Sequence, residues 1–383
     1  MKFSMIFEAQ MAFPTREHER QVILDCVDQS VLAEEMGYDR VWAVEHHSLL
    51  RYAHMSAPEI FLTFVAARTS RIRIGHGVVC LPFNYNHPIR VAERAAMLDV
   101  LSGGRLDLGA GRGATLQEMS AFGVEPENTY QELGESLRML GHMWDDDVFE
   151  WHGDLLEVAP HPIVPRPVQE PHPPLYLACT KHDTLKLAAD YGIGGLALGF
   201  AGVEDIAEMR AVYDAARETR TGEKFVSSVV NDHFSALCPA IVLDDRERAA
   251  RVGIRGQRFF AEAITHWYGG GPPPSEDNEA GDDLAAMAQD AERIVAMLHE
   301  AKIPVTPSTT GIFNAEHAYG NADDAIAYVE RLREVGVDEV MFLHQMGMVP
   351  QDVCLETIRQ IGEHVIPHFR ALEAAEAAPA RVS

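Results

Sequence analysis

The chain has 383 residues, 47% of them hydrophobic, and a formal net charge of −26. That length accommodates one large core, while the acidic balance argues against nucleic acid as a partner, because a polyanion is repelled. No apolar run approaches the ~20 residues a membrane span needs, and the five cysteines are scattered without a Cys-x-x-Cys pair, which disfavours a disulfide framework or a structural zinc site.

The N-terminus enters a strand at once, Lys2–Phe7, without the basic region, apolar stretch and cleavage site of a leader, so a cytoplasmic location is expected. An amphipathic helix follows at Arg20–Met36, and a second strand covers Arg40–Val44. Next come a helix at Pro58–Arg68, a strand at Ile72–Cys80, a helix at Ile89–Leu101, a strand at Arg105–Gly109 and a helix at Thr129–Met143. Further strands are expected at Leu175–Cys179, Gly194–Leu198, Val226–Leu237 and Glu339–Leu343, with helices at Glu204–Thr219 and Ala322–Val335. Pro58 and Pro88 sit at first turns, and Gly37, Gly192 and Gly336 stand where helices should stop.

Eight strands that are apolar throughout suit a parallel sheet buried on both faces, and their alternation with helices predicts an α/β fold, a (β/α)₈ TIM barrel. One domain over residues 1–370 is expected, with an Ala- and Glu-rich tail at 371–383 that frays. Two insertions break the rhythm. Val148–Val158 alternates around Gly153 and reads as a β-hairpin. Arg255–Asp283 contains Gly269 to Pro274 and is too long for an ordinary loop, so it is a candidate lid or a disordered segment.

All strand ends of such a barrel open on one face, where distant residues meet. Glu45-His46-His47 follows the second strand, and histidine is the side chain best suited to hold or pass a proton near neutral pH. The alternative is that one of the pair is a packed structural histidine. Metal is not expected, because the fourth and fifth strand ends offer Gly, Arg and Thr rather than ligands. Gly109 to Ala114 satisfies the dinucleotide pattern G-x-G-x-x-G/A, but it follows the fourth strand rather than the first. The simpler reading is a glycine turn that admits a flat or phosphorylated ligand, with Arg112 neutralising phosphate; a tight turn with a solvated arginine is the other. Thr180-Lys181-His182-Asp183-Thr184 opens a helix and makes either an anion site or an ordinary cap by Thr180 or Asp183. Gly75 and Gly77 lie within the third strand, where glycine implies a need for space. Phe7, Phe83, Phe200 and Phe342 near strand ends line a pocket or belong to the core, and His344 and Gln345 are further polar candidates.

At these residues the chain resembles the bacterial luciferase-like flavin monooxygenase family, from Met1 to about Phe369. The likeness is carried by Gly37 to Trp42 leading into Glu45-His46-His47, by Leu81-Pro82 with His87 to Glu93, and by Leu98 to Arg105 leading into Gly111-Arg112-Gly113. Thr180 to Thr184 and the helix start at Gly320 to Asp324 continue it. The resemblance implies a barrel that binds reduced FMN at its C-terminal face. Gly111, Arg112, Thr180, Lys181 and Thr184 would hold the cofactor, and a non-proline cis peptide would fall at Gly77–Val78 under the flavin. His46 aligns with the catalytic histidine, and Phe7, His47, Phe200 and His344 are the candidate substrate-pocket residues. Where the luciferase catalytic chain has a cysteine beside the flavin, this chain has Gly111; the luciferase partner chain lacks the paired histidines and the arginine that this chain keeps.

The expected function is therefore a two-component flavin monooxygenase of the catalytic type. Reduced FMN from a separate flavin reductase and O₂ would oxygenate a small apolar organic substrate, a carbonyl compound among the candidates, through a flavin peroxide. Three alternatives stand beside it: a deazaflavin coenzyme used for hydride transfer, a non-catalytic flavin-binding or partner subunit, and a nicotinamide dehydrogenase built on Gly109 to Ala114. The resemblance also implies a homodimer, or a heterodimer with a related chain, packed through the first barrel helices.

Overall fold

The computed structural model describes residues 1–271, 273–274, 296, 314, 316–347 and 349–377. In chain order it runs β1 Lys2–Phe7, α1 Arg16–Glu35, β2 Arg40–Ala43, α2 Pro58–Arg68, β3 Arg73–Cys80, α3 Pro88–Ser102, β4 Leu106–Gly111, α4 Leu116–Phe122 and α5 Thr129–His142. A hairpin of β5 Phe149–His152 and β6 Glu157–His161 follows. Then come β7 Leu175–Cys179, α6 His182–Tyr191, β8 Gly194–Leu198, α7 Val203–Thr219, β9 Phe234–Val242 and α8 Arg246–Gly269. The last described elements are β10 Ala318–Gly320, α9 Ala322–Glu334, β11 Glu339–Leu343, α10 Gln351–Gln360 and, after a π-helical turn at Ile361–Val365, α11 Ile366–Ala377.

Strands β1, β2, β3, β4, β7, β8, β9 and β11 pair in parallel in that order, and β11 returns to β1. The result is the closed eight-stranded barrel that the alternating pattern predicts, with β10 adding a short pairing to the far end of β9. Pro58 and Pro88 each open a helix, and Gly37, Gly192 and Gly336 take positive φ angles just beyond helix ends, as their placement requires. The hairpin forms where expected, with its turn gathered under Glu135 of α5, which accepts from the backbone N–H groups of Leu155 and Leu156.

Three expectations need correction. The strand placed at Val226–Leu237 is Phe234–Val242: Val229 and Val230 are exposed, and the buried register begins only at Phe234. Of the segment Arg255–Asp283, the part up to Gly269 is neither loop nor disordered. It is the second half of α8, with Gln257, Phe259 and Phe260 buried; beyond Pro274 the segment lies outside the described residues. Nor does the tail fray as far as it is described. α11 continues to Ala377, where Glu373 pairs with the Met1 amino group and Glu376 with Arg333.

Charge closes the barrel at its N-terminal end. Arg40, the first residue of β2, donates to Asp107 Oδ2 at 2.7 Å and to Glu339, the first residue of β11. Arg73 donates to both Asp107 oxygens, and His233 Nε2 lies 2.8 Å from Glu339 Oε2. Burial alone would raise the Glu339 carboxyl, but the Arg40 charge and the His233 hydrogen bond outweigh it and hold Glu339 well below the usual carboxylate range. Above this floor, Trp42 fills the axis and donates to Glu339 Oε1 at 2.9 Å. A Cβ on Gly75 would lie 2.2 Å from the Trp42 ring, and one on Gly77 would lie 3.1 Å from its Cβ. The two strand glycines thus make room for one indole. Replacing Glu339 by Gln leaves the Arg40 cation buried and half-paired, so unfolding stability should fall by about 3–5 kcal/mol, measured by urea denaturation at neutral pH; a loss below ~1 kcal/mol would contradict this account of the floor.

Candidate active site

The C-terminal ends of the eight strands converge at the opposite mouth. His46, three residues beyond β2, is hydrogen-bonded between its Nδ1 and Glu118 Oε1 at 2.9 Å, and its Nε2 lies 3.7 Å from Glu8 Oε2. Glu8 is the residue immediately after β1. Glu118 is the third residue of α4, where it forms a capping box with Thr115, accepting from both the Thr115 N–H and hydroxyl. The His47 backbone N–H donates to Glu118 Oε1, the oxygen that faces His46, at 3.0 Å. A helix cap and an acid–base orienter are therefore one residue.

Burial would lower the His46 pKa, but the Glu118 hydrogen bond and the charges of Glu8, Glu118 and Glu45 prevail, so His46 keeps its proton above the usual histidine range. Burial pushes Glu118 up as well; its bonds to His46, the His47 N–H and Thr115 win and hold it below the usual carboxylate range. Glu8 behaves differently. Desolvation raises it to about 7, with Glu118 adding to the rise and His46 and the Tyr52 hydroxyl opposing it.

His47 does not share this environment. Its Nε2 is 3.0 Å from Glu45 Oε1, and its ring packs between Tyr85 and Phe122. Glu45 is in turn held by the Cys80 N–H and the Asn86 amide. One histidine of the pair thus reaches the acidic cluster and the other is packed.

Arg112, next after β4, lies 4.7 Å over the Tyr130 ring and donates to Thr129 Oγ1 at 3.3 Å. Lys181 caps α6 on the neighbouring strand end and is exposed, as is Thr180. Neither cation pairs with a carboxylate among the described residues. Thr184 is buried and spends its hydroxyl on the backbone of Lys181, so the cap is Lys181 with Thr184 rather than Thr180 or Asp183. The Gly77–Val78 peptide is cis, and the β3–β4 register shifts between His76 and Val79. Gly109 and Gly111 have a packing cause: a Cβ on Gly109 would meet the His76 carbonyl at 2.3 Å, and one on Gly111 would meet Val78 Cγ2 at 2.4 Å. Their spacing therefore does not call for a dinucleotide.

Two candidate pocket residues turn away from the mouth. Phe7 is fully buried with its ring against Phe61 of α2, and His344 is fully buried with Nδ1 2.9 Å from the Ala240 carbonyl and Nε2 facing the Tyr38 hydroxyl. Desolvation lowers His344 to about 4, so it is a neutral core histidine. Phe200 stacks on Phe260 of α8 at 4.7 Å, and from there Phe260, Tyr52 and His46 follow ring to ring. Tyr268, also on α8, meets Tyr52. α8 therefore runs along the mouth, and the close approach of its Gly256 to Met346 lets it do so.

Glu8, Tyr52, Glu118 and the α8 aromatics escape a motif-based reading. Only Glu118 carried a local signal, the Thr115-x-x-Glu118 cap. Among the described residues, no group of three or more His, Cys, Asp or Glu side chains is placed to hold a metal ion.

Comparison with known proteins gives the family. The luciferase-like monooxygenase family model matches residues 1–339, and the chain belongs to that family. It is 31% identical to 4-hydroxyprotoasukamycin monooxygenase of Streptomyces nodosus subsp. asukaensis over 70% of this chain and 71% of the relative. It is 24% identical to the oxygenase component of the flavin-dependent trigonelline monooxygenase of Acinetobacter baylyi, over 96% of both chains. An F420-dependent glucose-6-phosphate dehydrogenase of Amycolatopsis mediterranei is 27% identical over 91% of this chain and 95% of its own. In fold, the chain is similar to the crystal structure of monooxygenase RslO1 from Streptomyces bottropensis, with a TM-score of 0.73 at 24% identity over 96% of this chain and 100% of that one. The family thus uses FMN or F420.

A raised histidine contributes stability that is complete below its ordinary value of about 6.5 and fades as pH rises through the folded-state value. Glu118→Gln removes the main cause of that rise. Its stability deficit against the wild type should therefore be larger at about pH 5.5 than at about pH 9, both above the Glu118 titration. Urea midpoints at the two pH values decide it; equal deficits would detach Glu118 from His46.

Proposed function

We propose that the chain is the oxygenase of a two-component flavin monooxygenase, taking reduced FMN from a separate reductase and oxygenating a small apolar organic substrate with O₂. The observation that carries this reading is the division of the mouth into a cationic and an acid–base side. Arg112 and Lys181 stand on neighbouring strand ends beside the N-terminus of α6, and that pairing fits a phosphate. Across the mouth, His46 lies between two carboxylates. The cis Gly77–Val78 peptide, with Val78 only partly covered, lies between the two sides and fits the face of a flat ring.

Reduced FMN, when bound, would supply the electrons that reduce O₂ and leave one oxygen for the substrate. This chain's own residues bind, shield and protonate. Arg112 and Lys181 anchor the phosphate, and the buried Phe260 and Tyr52 limit water at the reacting end. His46 holds a proton at Nε2, the nitrogen that Glu118 leaves free. The oxygenase component from Acinetobacter baylyi, matched over nearly its whole length, supports the reductase partner. The F420-dependent relative supports hydride transfer from a deazaflavin as the second reading.

Stopped-flow mixing with oxygenated buffer separates these readings. With reduced FMN bound, reoxidation should be slower than that of free flavin and should release little hydrogen peroxide in the presence of substrate. His46→Ala should raise peroxide release and cut oxygen transfer by roughly 10²–10⁴-fold. Lys181→Ala should weaken FMN about tenfold while leaving riboflavin binding unchanged. Binding of reduced F420 with no oxygen-dependent reaction of FMN would favour the second reading.

A dimer is part of the proposal. Ile60 and Phe64 of α2 and Met97, Val100 and Leu101 of the adjoining α3 are exposed large apolar side chains on one face. Light scattering should show twice the chain mass for the wild type and a monomer for Phe64→Asp combined with Leu101→Asp. An unchanged mass would place the contact elsewhere.

A further inference from the structure

We propose that Glu8 and His46 share a single proton across the Oε2–Nε2 gap, and that Glu8 is the store from which His46 is reprotonated while the site is closed to water. The proposal deepens the role given to His46 above but does not depend on which cofactor is bound.

The argument begins with the backbone. Ala9, a buried non-glycine residue, has φ of +52°, in the left-handed region that L residues seldom adopt. The His54 N–H reaches both the Glu8 and Ala9 carbonyls and holds the turn. This bend, directly after β1, sets where the Glu8 carboxyl can point. The Glu8 residue is 4% exposed, and its Oε2 has no hydrogen-bond partner, although it faces His46 Nε2 at 3.7 Å. A buried carboxylate oxygen left bare is costly, whereas a carboxylic acid there is not.

The opposite side of the imidazole removes the ambiguity. Glu118 takes donors from Thr115, the His47 backbone and His46, so it is committed as an anionic acceptor. Nδ1 must then carry hydrogen, and Nε2 is the position that changes. Other groups also face the pair: Glu45 from the segment after β2, Tyr52 from the following loop and Tyr268 from α8. Glu45 is engaged by Cys80, Asn86 and His47, and neither tyrosine titrates near neutrality. Among the described groups that face the pair, this leaves Glu8, raised to about 7, and His46, joined by the Oε2–Nε2 approach, to exchange the proton.

The step balances without a co-reactant. The Glu8 O–H bond breaks, an N–H bond forms at His46 Nε2, and the products are a carboxylate and an imidazolium. The total charge of the pair is unchanged, so no ion need enter from bulk water. When His46 delivers its Nε2 proton to a reacting oxygen, Glu8 replaces it.

The test uses the full chain without cofactor, labelled with ¹⁵N-histidine and titrated from about pH 5 to 9. Coupled groups titrate as a pair, so the His46 signal should move in two steps. Glu8→Gln should lose one step, and Glu8→Asp should restore it. A Glu8→Gln curve that overlays the wild type would overturn the proposal. Should Glu8→Gln fail to fold, as read from its melting curve, infrared spectra of ¹³C-glutamate wild-type protein decide instead. A protonated carboxyl band present at about pH 6 and gone by about pH 8.5 supports the store, and its absence at the lower pH refutes it. None of these readouts involves flavin or oxygen, so a failure of the monooxygenase reading would leave the result standing.

Discussion

Charge desolvated without a full set of partners is the constraint from which this structure follows. At the N-terminal end of the barrel, the buried charges of Arg40, Asp107 and Glu339 are all answered. Arg40 lies between Asp107 and Glu339, with Arg73 and His233 completing the ring. Such a cluster adds little net stability over an apolar floor, but it tolerates no missing member. Trp42 seals the axis above it, so the cylinder is open only where its strands end. At that end the same rule is relaxed at Glu8 Oε2, beside His46.

A chain with a net charge of −26 is a poor general partner for anions, yet its mouth bears two cations without carboxylate partners among the described residues. The contradiction disappears at short range. Surface charge is screened beyond about 8–10 Å at physiological salt, whereas Arg112 over Tyr130 and Lys181 at the start of α6 act within hydrogen-bonding distance of any phosphate placed there. Net charge therefore governs which macromolecules approach, and local geometry governs which small ligand stays.

The strands, the closed barrel and the ends of most helices were legible in the sequence, because parallel strands buried on both faces and proline or glycine at helix boundaries leave local marks. Pro58, Pro88, Gly37 and Gly336 each mean in the structure what they mean in the chain. What escaped was set by tertiary packing. Glu8 reads as the residue after a strand until the bend at Ala9 turns it toward His46. Gly109 and Gly111 imitate a nucleotide fingerprint but serve Val78 and the β3 backbone. His344, polar and at a strand end, is indistinguishable by pattern from a pocket residue; only its bond to Ala240 shows that it faces the core. The run from Arg255 looked like a lid because its glycines and prolines dominate the eye, while the apolar face carrying Phe259 and Phe260 belongs to a helix.

That helix ties the shape of the mouth to its chemistry. A barrel helix normally lies antiparallel to its strand on the outer surface. α8 instead carries Phe260 and Tyr268 to Tyr52, whose ring lies against His46, next to the buried Glu8 carboxyl. Water exclusion protects a reactive oxygen species, but it also cuts off the bulk supply of protons. A site closed by aromatic rings can complete a proton-consuming step only if the proton is already inside. The burial that raises Glu8 therefore lies in the same place as the burial that shields the chemistry, against the Tyr52 and Phe260 rings.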